Sequence, residues 1–99
     1  MTIGLPGSPM NIEIVDKMYG IDSSNVTLIW MPPAVAKRLA HYKILMLSET
    51  TSKEIIVNTA EVNIKDILYN QETTVSISAV NDCSGEGMQL NFSFIIRKY

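Results

Sequence analysis

The sequence predicts an all-β fold, a seven-stranded antiparallel β-sandwich. Apolar and polar residues alternate with a period of two in several short segments, which is typical of strands that bury one face. Turn-forming residues separate these segments, and no long helix is convincingly indicated. Many short strands joined by turns favour two packed antiparallel sheets. A chain of 99 residues is one domain's length and can bury a core of its own.

The first two strands are expected on either side of turn signals at Tyr19-Gly20 and Asp22-Ser23-Ser24. Met10–Val15 is a short candidate for the first strand. Asn25–Trp30 is the second, because its apolar and polar residues alternate until Pro32-Pro33 stops the pattern.

The third strand is the ambiguous element. Ala34–Leu47 is rich in helix formers, contains neither Gly nor Pro, and carries an apolar stripe at helical spacing. From residue 40 onward, however, Tyr42, Ile44 and Met46 also alternate with other residues. The remaining strands need a partner in a sheet, so we expect a strand from about residue 40.

The remaining four strands follow, with turn signals at Tyr69-Asn70 and from Asp82 through Gly87. They are Glu54–Asn58, Glu61–Lys65, Glu72–Val80 and Leu90–Ile96. The inward faces of the strands predict a core that comprises Trp30, Tyr42, Ile44, Val75, Ile77, Phe92 and Phe94.

Several short motifs resemble a fibronectin type III domain. The run Val26-Thr27-Leu28-Ile29-Trp30-Met31-Pro32-Pro33 is similar to that family's second strand, in which a core Trp is followed by a Pro-rich turn. Tyr42-Lys43-Ile44 resembles its Tyr-x-Val on the third strand. Ala79-Val80-Asn81, followed by Gly85-Glu86-Gly87, resembles the end of its sixth strand and the next loop. The resemblance covers residues 9–97 and implies an immunoglobulin-like sandwich of the fibronectin type III kind.

The chain departs from that family at the corner between the fifth and sixth strands. Thr73 stands where the family has its corner tyrosine, whose hydroxyl ties the chain as it crosses between sheets. We therefore identify a diverged member lacking the corner tyrosine, and expect Leu68 or Tyr69 to fill the corner by packing alone. Without a Cys pair a true immunoglobulin domain is disfavoured, and without a Trp-Ser-x-Trp-Ser stretch so is a cytokine-receptor module.

The domain is expected to span residues 9–99, with residues 1–8 as an interdomain linker or a cloning remnant, because this opening is rich in Gly and Pro. The start lacks the basic and apolar regions of a signal peptide. Leu28–Ala36 is the longest nearly apolar stretch, holds two prolines, and has about half of the ~20 residues of a spanning helix. Direct membrane insertion is not expected, and a domain of a larger protein is favoured.

The composition disfavours several kinds of activity. Eight basic and ten acidic residues leave a net charge of -2 and no basic stripe for nucleic acid. One Cys and one His leave a metal site short of ligands, and we expect neither a metal nor an organic cofactor. Cys83 and His41 are the one possible thiol–imidazole pair, but they are predicted in separate parts of the sandwich. A small thiol enzyme is therefore the weakest hypothesis, and we expect a noncatalytic domain.

The leading hypothesis is a protein-interaction and spacer module of a larger extracellular or membrane-anchored receptor or adhesion protein. The resemblance implies this role, and N-x-S/T sequons at Asn25 and Asn91 are compatible with a glycoprotein, although such sequons also arise by chance. The alternative is an intracellular structural module of a cytoskeletal or scaffolding protein, consistent with a lone thiol. In both settings the partner is a protein or a neighbouring domain, and the isolated domain is expected to be monomeric.

A partner surface is predicted on the outward face of the sheet that contains the third, sixth and seventh strands, with Glu54–Asn58 at its edge. Contiguous apolar residues on such a face often mark an interface, and the Asp82–Gly87 loop borders it. Alternatively, a register shift of one residue would turn the apolar side chains inward. The predicted surface comprises Leu45, Leu47, Val80, Ile95, Asp82, Ser84 and Glu86.

Overall fold

The protein is described by a computed structural model that covers residues 7–33, 39–82 and 85–98. Its seven strands are β1 (Met10–Tyr19), β2 (Ser23–Met31), β3 (Leu39–Leu47), β4 (Ser52–Val57), β5 (Glu61–Leu68), β6 (Glu72–Asn81) and β7 (Gly85–Ile95). The all-β prediction is confirmed. Within these residues there is no helix of a length and hydropathy that would cross a membrane.

The strands form two antiparallel sheets, as predicted. One sheet has the order β1-β2-β5 and the other the order β4-β3-β6-β7. Residues 39–47 of the ambiguous segment form a strand because β3 pairs with β4 on one side and with β6 on the other. This pairing outweighs the helix propensity of the segment. Residues 34–38, also part of that segment, lie outside the described residues.

Alternate residues of both sheets meet in one core. The residues of the predicted core on β2, β3 and β6 are buried, namely Trp30, Tyr42, Ile44, Val75 and Ile77. Phe92 and Phe94 belong to the edge strand β7 and are only partly buried, packed against this cluster. The Trp30 and Tyr42 rings meet edge to face, with centroids 5.2 Å apart and an interplanar angle of 78°, which is a favourable arrangement for two aromatic quadrupoles.

Two polar atoms in this core lack a hydrogen-bond partner among the described residues, the indole Nε1 of Trp30 and the hydroxyl of Tyr42. Burial raises the pKa of Tyr42, and the nearby Trp30 N–H offsets part of the rise without reaching hydrogen-bond geometry. An unsatisfied buried hydroxyl costs free energy. The Tyr42 ring therefore stabilises the core while its hydroxyl opposes that stabilisation.

Side chains form hydrogen bonds with the backbone groups of a β-bulge on β5. Between Ser24 and Val26 of β2 the register shifts, so that Lys65 and Asp66 together oppose Asn25, and Asp66 has a φ of 62°. The Asp66 N–H donates to Asn25 Oδ1 at 3.3 Å, and Lys53 Nζ donates to the Lys65 carbonyl oxygen at 2.8 Å. The second of these bonds connects β4 of one sheet to β5 of the other.

The corner between β5 and β6 is held by a hydrogen bond, so the prediction of packing alone is wrong. The Tyr69 hydroxyl donates to the Gly20 carbonyl oxygen at 2.7 Å, and its ring stacks on Tyr19 with centroids 6.3 Å apart and 8° between planes. The Asn70 N–H donates to the Ile96 carbonyl oxygen at 2.8 Å. A tyrosine at position 69 thus ties this corner although Thr73 occupies the family's tyrosine position.

Strands β1, β5 and β7 each extend at least three residues beyond a predicted bound. Strand β1 continues past Val15 to Tyr19, which brings Gly20 next to the Tyr69 corner. Strand β7 begins at Gly85, so Gly85–Gly87 lies within a strand rather than in a loop. The Gly85 N–H donates to Asn81 Oδ1 at 3.2 Å, and Gly85 has a φ of 92° that favours glycine. With this contact in the hairpin, β7 begins at Gly85 rather than at Leu90, where the sequence placed its start.

Candidate interaction surface

The two halves of the outward face of the four-stranded sheet differ in character, because β3 and β4 carry both apolar and charged residues. In the half formed by β3 and β4, Leu45 stands opposite Glu54 and Lys43 stands opposite Ile56. The other half, formed by β6 and β7, carries hydroxyl and amide pairs. Thr74 and Ser93 oxygens are 3.0 Å apart, and the Ser76 hydroxyl donates to Asn91 Oδ1 at 2.7 Å.

Leu45, Leu47 and Ile56 form what we call the apolar patch. Leu45 is half-buried, whereas Leu47 and Ile56 are 44% and 60% exposed. Leu45 and Leu47 are two residues apart on β3 and thus about 7 Å apart along one face. Ile56 is the diagonal neighbour of Leu45, at roughly 7–8 Å, which is within reach of such side chains. The register therefore turns these side chains outward, and the alternative of an inward shift does not apply.

Ile56 was missed by the sequence reading. The alternation of β4 was the pattern that could have identified it. Its exposed residues are Ser52, Glu54 and Ile56, whereas Ile55 and Val57 are partly buried. Its position became meaningful only through the pairing of β4 with β3, which places it beside Leu45.

Val80 and Ile95 lie apart from the apolar patch. Val80 pairs with His41, and the row of Lys43 and Ser78 separates it from Leu45. Ile95 is 43% exposed and pairs with Glu72 at the same end of the sheet as Leu47, but it lies on the far edge strand β7, with β6 between it and β3. The structure thus brings Leu45 and Leu47 together but joins neither Val80 nor Ile95 to them.

Glu86 is engaged within the domain. Its Oε2 accepts from the buried Ser78 hydroxyl at 2.8 Å, and its Oε1 accepts from Lys43 Nζ at 3.2 Å. Lys43 Nζ also lies 3.9 Å from Glu54 Oε1, so one ammonium bridges carboxylates from β4 and β7. The Ser78 hydroxyl and the Lys43 ammonium hold the pKa of Glu86 below its ordinary value. The hydrogen bond and charge of Glu86 correspondingly raise the pKa of Lys43.

The loop that borders this face is only partly described. Asp82 is exposed, whereas Ser84 and Cys83 lie outside the described residues. His41 is half-buried on β3. Within residues 7–33, 39–82 and 85–98, no group of three or more His, Cys, Asp or Glu residues is placed to hold a metal ion.

Both sequon asparagines lie on outward faces with their amide oxygens engaged. Asn25 Oδ1 accepts from the Asp66 N–H of the β5 bulge, and Asn91 Oδ1 accepts from Ser76. Asn25 also lines a depression of about 300 Å³ beside Met18 and Asp66. In each case the hydrogen bond uses the amide oxygen and not the amide nitrogen, which is the atom that carries an N-linked sugar.

The comparisons with known proteins rest on structure. No model of a protein family matches this chain, and no curated protein matches it. A myokine structure is similar with a TM-score of 0.74 and 15% identity, over 94% of this chain and 99% of that one. The twitchin kinase region from C. elegans matches with a TM-score of 0.73 and 18% identity, over 95% of this chain and 17% of that one. A fibronectin type III domain of human collagen XX matches with a TM-score of 0.64 and 21% identity, over 91% of this chain and 92% of that one. The fold is that of a fibronectin type III domain, which confirms the resemblance.

Proposed function

We propose that this domain is a noncatalytic protein-interaction and spacer module of a larger extracellular or membrane-anchored receptor or adhesion protein. In this proposal residues 9–99 form the module and residues 1–8 a linker. The observation that carries the proposal is the apolar patch, because Leu47 and Ile56 expose apolar surface on a sheet face whose other half is polar. Burial of such a patch against a protein partner is favourable. The similarity to a myokine supports the extracellular setting.

The intracellular alternative has its own support. The twitchin kinase region, which is similar to this chain with a TM-score of 0.73, is an intracellular protein fragment. A structural module of a cytoskeletal or scaffolding protein would use the same patch against a neighbouring domain. The two settings therefore differ in where the partner is found rather than in which surface it binds.

The proposal is tested with a fluorescent, tetramerised form of the domain and a matched pair of variants. Leu45→Lys places a charge in the patch, where Glu54 and Ser76 on the flanking strands tolerate it. Ile29→Lys is the control, because Ile29 is half-buried on the outward face of β2 between Glu13 and Glu61. We expect the parent and Ile29→Lys to stain cells that display the partner, and Leu45→Lys to lose staining while it remains folded by circular dichroism.

Staining of intact cells supports the extracellular setting, and staining that requires permeabilisation supports the intracellular one. Equal staining by Leu45→Lys and the parent would contradict the assignment of the patch. Unfolding of Leu45→Lys would instead identify Leu45 as a core residue.

Glycosylation is a second, independent part of the proposal. The domain is expressed through a secretory pathway and treated with peptide-N-glycosidase. Thr27→Ala and Ser93→Ala remove the two sequons, whereas Thr27→Ser and Ser93→Thr retain them. A mobility shift that the Ala variants lose would support glycans at Asn25 or Asn91, and an unshifted parent would remove the sequons as support.

A further inference from the structure

The outer edge of β7 pairs with no other strand among residues 7–33, 39–82 and 85–98. Strand β7 ends the four-stranded sheet, and among the described strands it pairs with β6 alone. An edge strand presents unpaired backbone N–H and C=O groups that can pair with another chain. Residues 87–96 contain no charged residue and no proline, and Leu90–Ile96 is rich in apolar and aromatic residues. This segment therefore has the sequence character of a strand that accepts another strand.

The other three sheet edges are protected. Strand β4 carries Lys53, whose ammonium crosses to the Lys65 carbonyl of the other sheet. Strand β1 has two register shifts and three charged residues, and β5 has the bulge at Asp66. Charges and bulges are the usual devices that prevent edge-to-edge pairing. The register shift of β7 lies between the rungs of Ser78 and Val80, so residues 89–95 pair regularly with β6 and leave a straight edge.

We propose that the β7 edge pairs antiparallel with β7 of a second copy of this chain, about a two-fold axis at Phe92. Two four-stranded sheets then become one sheet of eight strands. In this register Asn91 stands opposite Ser93 of the second copy on the outward face, and Leu90 stands opposite Phe94 on the inward face.

A second copy suits this edge because the rungs beside the axis are matched, polar Asn91 with Ser93 and apolar Leu90 with Phe94. Asn91 Oδ1 already accepts from Ser76, which leaves the Asn91 amide N–H groups to donate to the Ser93 hydroxyl across the axis. This arrangement extends the Ser76–Asn91 and Thr74–Ser93 pairs outward by one strand. No charge lies within residues 87–96, so two identical edges meet without repulsion. The proposal replaces the expectation of a monomeric domain and is independent of the apolar patch, which lies on β3 and β4.

The contact is small, and this determines the conditions of the test. A single pair of short strands buries less surface than the roughly 1,200–2,000 Å² of a stable interface. Self-association is therefore expected only at high concentration, roughly 0.1–1 mM. Bacterially expressed domain, which carries no glycan at Asn91, is studied by sedimentation equilibrium across this range, with Cys83→Ser to exclude a disulfide-linked dimer.

We expect the weight-average mass to rise with concentration from 11.0 kDa toward twice that value. Asn91→Lys places a charge on the edge and should weaken association at least tenfold. Asn63→Lys is the matched control, because Asn63 is also exposed and also lies on an edge strand, β5. Its side-chain amide likewise forms a hydrogen bond with a hydroxyl on the neighbouring strand, that of Thr27. Its association should equal that of the parent. If Asn91→Lys does not fold, Gln89→Lys on the same exposed face of β7 makes the same test.

Three results would overturn the proposal. The parent could remain at 11.0 kDa at every concentration, or Asn91→Lys could associate as strongly as the parent. In the third case Leu45→Lys abolishes association while Asn91→Lys retains it, which would assign self-association to the apolar patch. That last outcome separates this proposal from the proposed function, because it refutes the β7 edge and supports the patch.

Discussion

Removal of one hydroxyl group should destabilise the domain at Tyr69 but not at Tyr42. The substitutions Tyr69→Phe and Tyr42→Phe delete the same atom from two different environments. The Tyr69 hydroxyl donates to the Gly20 carbonyl oxygen at 2.7 Å and ties the corner between β5 and β6 to the β1–β2 turn. The Tyr42 hydroxyl is buried and has no hydrogen-bond partner among the described residues. Both rings remain in place in the variants, so packing changes little.

The magnitudes follow from the hydrogen bond and from burial. Loss of an ordinary hydrogen bond costs about 0.5–1.5 kcal/mol, so Tyr69→Phe should be destabilised by that amount. For a domain of this size, each 1 kcal/mol lowers the melting temperature by roughly 4–8 °C. Tyr42→Phe removes a buried polar atom whose unsatisfied state costs about 1–3 kcal/mol, so the variant should be as stable as the parent or more stable by up to this amount.

The assay is urea unfolding followed by tryptophan fluorescence, with thermal unfolding by circular dichroism as a second probe. Tyr69→Phe should unfold at a lower midpoint than the parent and Tyr42→Phe at an equal or higher one, with unchanged denaturant slopes. A Tyr69→Phe midpoint equal to that of the parent would show that packing alone holds the corner. A Tyr42→Phe midpoint lowered as far as that of Tyr69→Phe would show that the Tyr42 hydroxyl is satisfied.

Three further outcomes are expected. Trp30→Ala should lose about 3–5 kcal/mol of stability, because it removes a buried ring from between the sheets. Its urea unfolding is followed by circular dichroism, since the variant lacks the chain's one tryptophan, and an unchanged midpoint would contradict this placement. The Ser78 hydroxyl and the Lys43 ammonium depress the pKa of Glu86, so its carboxylate stabilises the fold above the unfolded pKa of about 4.3 and this contribution is lost as the pH falls through the lower folded pKa. Glu86→Gln should therefore lose less stability than the parent between about pH 5 and pH 3, and parallel pH curves would refute the argument. Lys53→Met keeps the aliphatic part of the side chain but removes the donor to the Lys65 carbonyl. This loss should lower stability by about 0.5–1.5 kcal/mol in thermal unfolding. The control Lys17→Met, at an exposed position, should show no such loss of stability.

Alternation along the sequence determined the strands and the faces of their residues. A strand places successive side chains on opposite faces, so a period of two can be read from neighbouring residues alone. This is why the sequence predicted that Trp30 and Ile77 point inward and that Leu45 and Leu47 point outward. The inferred sandwich also placed the third, sixth and seventh strands in one sheet with the fourth at its edge, without any knowledge of side-chain contacts.

Tertiary structure decided which residues of different strands meet. Register depends on where bulges insert extra residues, and local sequence does not reveal those positions. The pairing of β4 with β3 placed Ile56 beside Leu45, while the pairing of β6 with its neighbours kept Val80 and Ile95 apart. The corner was decided in the same way, because Tyr69 finds its acceptor on Gly20, forty-nine positions away in the chain. Such contacts depend on the geometry of the assembled sheets, whereas alternation depends only on adjacent residues.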